Sequence, residues 1–348
     1  MRNAKEGVLP NVGDTPFFKW ELKGELPLFI KRMITFLKNW TLPVAIVMGT
    51  LIYLLFAFVP CLDAAGDMLF PVLDFIFPSL VFLVLFTTFC KVDFHKMRPV
   101  RWHLWVVVFQ VLLVGLVTGV MLTVAKEGEQ KILWEGVLTC IICPTAAAAA
   151  VVTSKLGGDI NTMTTYNLIS GLVAALLIPT IFPLIEKAED VTFMTAFLTI
   201  LYKVFLVLIV PLGCGWFVKH YVHRLQRAIA SRPNLSFYLW GVSLMVTTGM
   251  TVRNIVHSDA SLSLLLLISL LSLAICIIQF AVGRLIGRFH HATVNAGQAL
   301  GQKNTAFAIW VACMYLNPVA SVGPGCYVLW QNIVNSFEIW HYRVKKKG

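Results

Sequence analysis

The chain has 348 residues, of which 58% are hydrophobic and only 13% charged, and its mean hydropathy is +0.80. Soluble domains carry about 25% charged residues, so the composition excludes a soluble globular fold and indicates a polytopic membrane protein. The net charge of +11 would suggest nucleic acid in a soluble chain; here the placement of the charges explains it, and no nucleic-acid partner is expected.

In chain order, the first fifteen residues are polar with Gly and Pro. Pro16 to Trp40 interleaves Phe17, Phe18, Trp20, Phe29 and Phe36 with Lys19, Lys23, Lys31, Arg32 and Lys38. That pattern predicts a basic amphipathic helix on the membrane surface. The first forty residues lack the short basic stretch and apolar core of a cleavable signal, so the first span is the expected insertion signal. Ten spans of about 20 residues follow, the length a bilayer core demands: 41–60, 67–90, 102–125, 133–156, 163–185, 193–218, 235–255, 261–284, 293–313 and 319–340. Loops are short throughout and leave no room for a separate soluble domain.

Of the 28 Lys and Arg residues, this threading puts 22 on the side of the N-terminus, four on the other (Lys126, Lys131, Lys187, Arg253), and Lys203 and Lys303 within the membrane. Cytoplasmic loops hold the excess of positive charge, so both termini are expected in the cytoplasm of a cell with the protein in its plasma (inner) membrane. Trp40, Trp102, Trp134, Trp216, Trp240 and Trp340 lie near span ends, as an interfacial aromatic belt requires. The eight cysteines fall mostly inside apolar runs, where cysteine acts as a small hydrophobe, and give no disulfide framework. Cys140 and Cys143 form a CxxC within a membrane span and read as packing residues. Without an HxxxH or HExxH pattern, no metal site is expected.

The spans divide evenly at the loop Glu186 to Asp190. The fourth span of the first half contains CPTAAAAAVVTSKLGGD and the fourth of the second half GQALGQKNTAFA. Pro144 breaks the first, because proline lacks a backbone donor; Gly301 marks the break in the second. Five spans per half is odd, so the halves are inverted, and paired broken helices in inverted repeats point to a transport site. The small residues from Ala146 to Ala150 permit close approach of another backbone, predicting that the second broken helix crosses the first there. Lys303 stands at the centre of its span, roughly 15 Å deep at 1.5 Å per residue. An ammonium at that depth costs about 2.5 to 3.5 kcal/mol on insertion scales. Its sequence neighbours Gln298, Gln302, Asn304 and Thr305 are neutral, which leaves it as a fixed cation or a titrating one. Other intramembrane polar residues are Gln110, Asn167, Gln279, Gln331, Asn332, Asn335 and Glu338; Glu338, near the cytoplasmic end, reads as an anchor. Asp74 and Lys203 lie at similar depth, to pair or to snorkel.

CPTAAAAAVVTSKLGGD with the following TMTTYNLISGLVAALLIP, GQKNTAFA, VLWQNIVNS and VFLVLFTTFCKVDF resemble the bile acid:sodium symporter family over residues 41 to 342. The resemblance implies an all-α polytopic membrane fold of ten transmembrane helices in two inverted five-helix repeats, residues 41–187 and 188–342, between an N-terminal segment 1–40 and a basic tail 343–348. It implies a panel of spans 1, 2, 6 and 7, a core of spans 3 to 5 and 8 to 10 with the broken spans 4 and 9 crossing, and transport of organic anions by alternating access.

Departures from the family pattern carry more information than the match. Sodium-using members have a Ser-Asn pair where this chain has Ala149 and Ala150, and Glu-x-Gly-x-Gln-Asn where it has Ala299, Leu300, Gly301, Gln302, Lys303 and Asn304. A sodium-ligand Thr becomes Asn167, while the Gln of span 3 stays as Gln110. A carboxylate is lost and a cation gained, so the chain is expected to be a divergent, sodium-independent member in which Lys303 takes the ion's place; a proton is the alternative coupling ion, and no cofactor is expected. Asn304, Gln331 and Asn332 stand where the family contacts organic anions, with Thr305 and Thr145 beside them as substrate-side candidates. A sodium-coupled symporter with an altered site and a non-transporting sensor of the same fold are the competing readings; an enzyme lacks any nucleophile, acid/base pair or metal cluster at depth.

Overall fold

The computed structural model describes residues 41–186, 191–232 and 235–347. The expected surface helix at Pro16 to Trp40 lies outside the described residues, as does the side chain of Asp74, and with it the pairing expected of Asp74 and Lys203. The chain divides into two units, Met1–Val44 and Ala45–Gly348, and the second holds the core and the polar centre.

Every regular element among the described residues is helical. In order these are α1 (Thr41–Phe58), α2 (Asp63–Phe89), α3 (Arg101–Thr123), α4 (Gly128–Ile142), α5 (Ala148–Lys155), α6 (Ile160–Ile185) and α7 (Phe193–Leu208). They continue with α8 (Val210–Tyr221), α9 (His223–Ala230), α10 (Leu235–Val256), α11 (Leu262–Arg288), α12 (Thr293–Gly301), α13 (Thr305–Tyr315) and α14 (Val322–Lys347). Five stretches are long and apolar enough to cross a membrane: Pro71–Phe89 of α2, α3, α6, Phe193–Tyr221 and α11. The fourth of these is α7 and α8 in series. Their interruption at Ile209 follows from Pro211, which has no N–H to offer the carbonyl four residues back.

Of the other expected spans, the first is apolar but shorter, Val44–Phe58 of α1, and the remaining four depart from an apolar helix for visible reasons. α10 has 22 residues but carries Ser, Thr and Arg253. α14 has 26 but carries Gln331, Asn332, Asn335, Glu338 and a basic end. The two spans with Pro144 and Gly301 are each split into a pair of short helices, α4 with α5 and α12 with α13. Helix starts are capped by side chains in extended backbone: Asp159 accepts from the Asn161 N–H, Thr192 from Thr195 and Ser261 from Leu264, each satisfying one orphan donor of a first turn.

The surface is apolar, with Phe75, Leu112, Leu262 and Phe337 each more than 60% exposed, whereas Gln110, Gln279, Gln298, Gln302, Lys303 and Gln331 are at most 1% exposed. This inversion suits a hydrocarbon solvent, in which polar groups must find partners inside. The largest buried apolar cluster joins α2, α3, α4, α6, α7 and α13 through Phe77, Val114, Ile141, Ile178, Val204 and Phe307. Trp102, expected near a span end, lies in the first turn of α3; it and the adjacent His103 are buried and pack against Tyr166 of α6 at centroid distances of 5.4 and 5.7 Å. The His103 ring also lies 3.1 Å from the Thr162 carbonyl.

α12 runs back along α11 at very short range. A Cβ on Gly283 would stand 2.4 Å from the Ala296 carbonyl oxygen, a backbone atom that cannot step aside. Gly283→Ala is therefore expected to destabilise the protein by about 1–3 kcal/mol, read as a lower midpoint of thermal unfolding in detergent. Gly119→Ala in α3, where an added Cβ meets nothing within 4 Å, is expected to be neutral or slightly stabilising.

Candidate functional site: the crossing of two broken helices

The break after α4 begins with chemistry rather than packing. Pro144 cannot donate to the carbonyl of Cys140, and Gln279 of α11 takes over, its amide donating to Cys140 O at 3.1 Å. Cys143 turns extended, and so does Gln302 after α12. The two extended stretches then lie antiparallel, with Thr145 opposite Lys303. The Ala146 N–H donates to Gln302 O at 3.0 Å, and the Asn304 N–H donates to Pro144 O at 2.8 Å. Each break thus supplies the backbone partner that the other has lost, a requirement at this depth.

The same reciprocity extends to the side chains. The Thr145 hydroxyl donates to the Ala299 carbonyl at 2.6 Å, and the Lys303 ammonium donates to the Ile141 carbonyl at 3.1 Å. Each residue reaches the carbonyl that lies four positions before the other. The backbone N–H of Thr145 is taken by Ser170 Oγ and that of Lys303 by Gln331 Oε1, both at 2.9 Å. Remaining carbonyls at the helix ends are covered too. The Gln110 amide donates to Ile141 O at 3.0 Å and lies 3.4 Å from the carbonyls of Ile142 and Cys143. Tyr327 donates to Gly301 O at 2.7 Å. Gly301 also has to be glycine, because the Phe280 ring lies within 2.5 Å of where a Cβ would stand.

Lys303 is 1% exposed, and its charge sits at the C-terminal end of α4. That end carries the negative pole of the helix macrodipole. A positive charge on Nζ would meet oriented backbone dipoles there, and among the described residues no carboxylate pairs with it.

Of the candidates named from sequence, Lys303, Gln302, Thr145, Gln110, Gln331, Pro144 and Gly301 meet at this crossing. Ala149, Ala150 and Ala299 also come together, but in an apolar cluster with Trp102, Val106, Met163, Tyr166 and Leu300. Asn304 caps α13 by accepting the Phe307 N–H at 3.3 Å, and Thr305 is buried in that helix's first turn. Asn332 is half-buried and donates to the Val328 carbonyl of its own helix at 2.7 Å. Asn167 is half-buried, and its Oδ1, like Gln302 Oε1, has no partner among the described residues. Glu338 pairs with Arg284 of α11 and accepts from Gln298 at 2.9 Å, which makes it the anchor its position suggested. Lys203 lies over the Tyr315 ring, 5.8 Å from its centroid. Ser170 and Tyr327 are participants that sequence reasoning missed. Each is one of several hydroxyls in its helix, and only the partner it meets at the crossing gives it meaning. No group of three or more His, Cys, Asp or Glu residues that could hold a metal occurs among the described residues.

Compared with known proteins, the chain matches the family described as Sodium Bile acid symporter family over residues 78–258, just over half its length. The match takes in Gln110, the first break and Asn167, and stops before Lys303. No curated protein matches the chain. With helices long and apolar enough to cross a membrane and a polar crossing buried at their centre, the chain belongs to the sodium bile acid symporter family and is a multi-pass membrane transporter.

Proposed function

We propose that the protein moves small organic anions across the plasma (inner) membrane by alternating access without sodium, with the Lys303 ammonium in the role that sodium plays elsewhere in the family. The observation that carries this reading is the Lys303 Nζ to Ile141 O bond beside the packed alanines 149, 150 and 299. Sodium needs oxygen ligands, and methyl groups occupy the positions that would offer them. A second monovalent cation about 4 Å from the ammonium would be repelled by roughly 4 kcal/mol at an effective dielectric constant of 20.

Ten crossings in two inverted halves, with both termini cytoplasmic, accompany this reading. In its support, 158 residues separate Thr145 from Lys303, which lie opposite each other at the crossing. The same spacing separates two turn caps: Asp159 accepts from the Asn161 N–H, and Asn317 from the Val319 N–H. The N–H groups of those two residues are in turn held from the opposite half, by Asn295 Oδ1 and Glu135 Oε2 respectively.

For the substrate, the starts of α5 and α13 follow directly on the two breaks, and helix N-termini favour anions. Asn304 and Thr305 at the start of α13 are assigned to contact a carboxylate. Thr145 and Gln331, whose polar atoms serve backbone groups, hold the shape of the site instead. A sensor of the same fold would bind the same acids without flux.

Three outcomes test this reading. Organic acids that raise the thermal unfolding midpoint are expected to enter proteoliposomes at the same rate in sodium and in choline buffers; strict sodium dependence would overturn the proposal, and binding without flux would favour the sensor. Lys303→Met is expected to fold normally, because Gln110 keeps Ile141 O satisfied and an apolar side chain replaces a buried charge, while uptake falls at least about tenfold, equivalent to roughly 1.4 kcal/mol. Undiminished uptake by that variant would remove Lys303 from the mechanism. Thr145→Val leaves the Ala299 carbonyl unpaired and is expected to cost about 1–3 kcal/mol, measured as a lower unfolding midpoint.

A further inference from the structure

Away from the crossing, α2 and α8 enclose an open-sided groove of about 450 Å³ lined by Phe82, Phe86, Gly213, Cys214, Phe217 and Val218. No lining side chain is charged or a strong hydrogen-bonding group, so the groove has nothing to orient a small organic acid, which needs a few placed polar groups. A Cβ built on Gly213 meets nothing within 4 Å, so the protein leaves this space for something else.

One end of the groove is fixed by a small apolar cluster. Val218 packs with Cys90 and Ile229, and Phe86 and Leu235 close around them. Ile229 is the buried residue of α9, HRLQRAIA, whose Arg224 and Arg227 are exposed, as is Arg232 just beyond it. The two lysines nearby are already engaged. Lys219 donates to Val92 O at 2.6 Å and lies 3.8 Å from the Asp93 carboxylate, and Lys91 donates to Arg232 O at 3.1 Å. Trp216 and Phe217 pack against Tyr221 at the same end of α8, and Trp and Tyr favour the headgroup level of a bilayer. The result is an apolar slot inside membrane-spanning helices that runs up to an arginine-bearing amphipathic helix at its polar end. That combination of chain and charge fits an amphiphile with an anionic head.

We propose that this groove and α9 form a binding site for an anionic glycerophospholipid, with an acyl chain along α2 and α8 and the headgroup phosphate on Arg224 and Arg227. The site is independent of the substrate assigned above.

Native mass spectrometry of the purified full-length protein, delipidated and then offered equal phosphatidylglycerol and phosphatidylcholine, tests it. The wild type is expected to retain phosphatidylglycerol about thirtyfold better, the factor that two surface arginines supply. Arg224→Gln with Arg227→Gln is expected to bring the two lipids near parity. Gly213→Phe, which fills the slot, is expected to lose most retained lipid of either kind while keeping its unfolding midpoint; Gly213→Leu serves if the larger residue unfolds the protein. Equal retention of both lipids by the wild type, or full phosphatidylglycerol retention by a filled groove, would overturn the proposal. So would a second copy of the chain seated on the groove in place of lipid.

Discussion

Two helix breaks that satisfy each other hold the polar centre of this protein together. A break deep in a membrane strips carbonyls and N–H groups of their intrahelical partners, and no water is present in hydrocarbon to replace them. Here the cost is met by pairing one break with the other: Ala146 to Gln302, Asn304 to Pro144, and the Thr145 and Lys303 side chains each to the far helix end. Much of the surrounding polar inventory serves that pairing. Gln110, Gln279, Ser170, Gln331 and Tyr327 come from four different helices and each covers a backbone group at the crossing.

This arrangement explains why some of the site was legible in sequence and some was not. Pro144 and Gly301 are backbone signals, and they mark where helices end whatever surrounds them. Lys303 was legible because a cation at the middle of an apolar stretch is costly wherever it points. Its partner was not, since a carbonyl oxygen leaves no trace in a sequence, and nothing in GQKN distinguishes a lysine aimed at α4 from one aimed at a substrate. The same limit applies to Gln331 and Asn332, neighbours in sequence. One supports the Lys303 backbone and the other folds onto its own helix, a difference set by their angular positions on α14. Trp102 shows the same limit: a position near a span end says nothing of which way the ring faces, and here it is buried against Tyr166.

Ala149, Ala150 and Ala299 have small side chains, and Trp102, Met163 and Tyr166 pack with them in one apolar cluster. A polar side chain placed at any of the three would be buried among apolar groups and would cost free energy unless it found a hydrogen-bond partner there.

A buried lysine held only by dipoles is more restrictive than one held by a carboxylate. A carboxylate can travel on a flexible side chain with its partner, whereas the pole of α4 is fixed to that helix and its field falls off within a turn. Separating the start of α13 from the end of α4 would strand both an ammonium and the carbonyl it serves, each costly in a low-dielectric interior. The two broken helices must then move as one body. For the alternating access proposed above, the displacement that exposes the site to either side would have to occur between this body and the helices outside it, leaving the crossing intact through the cycle.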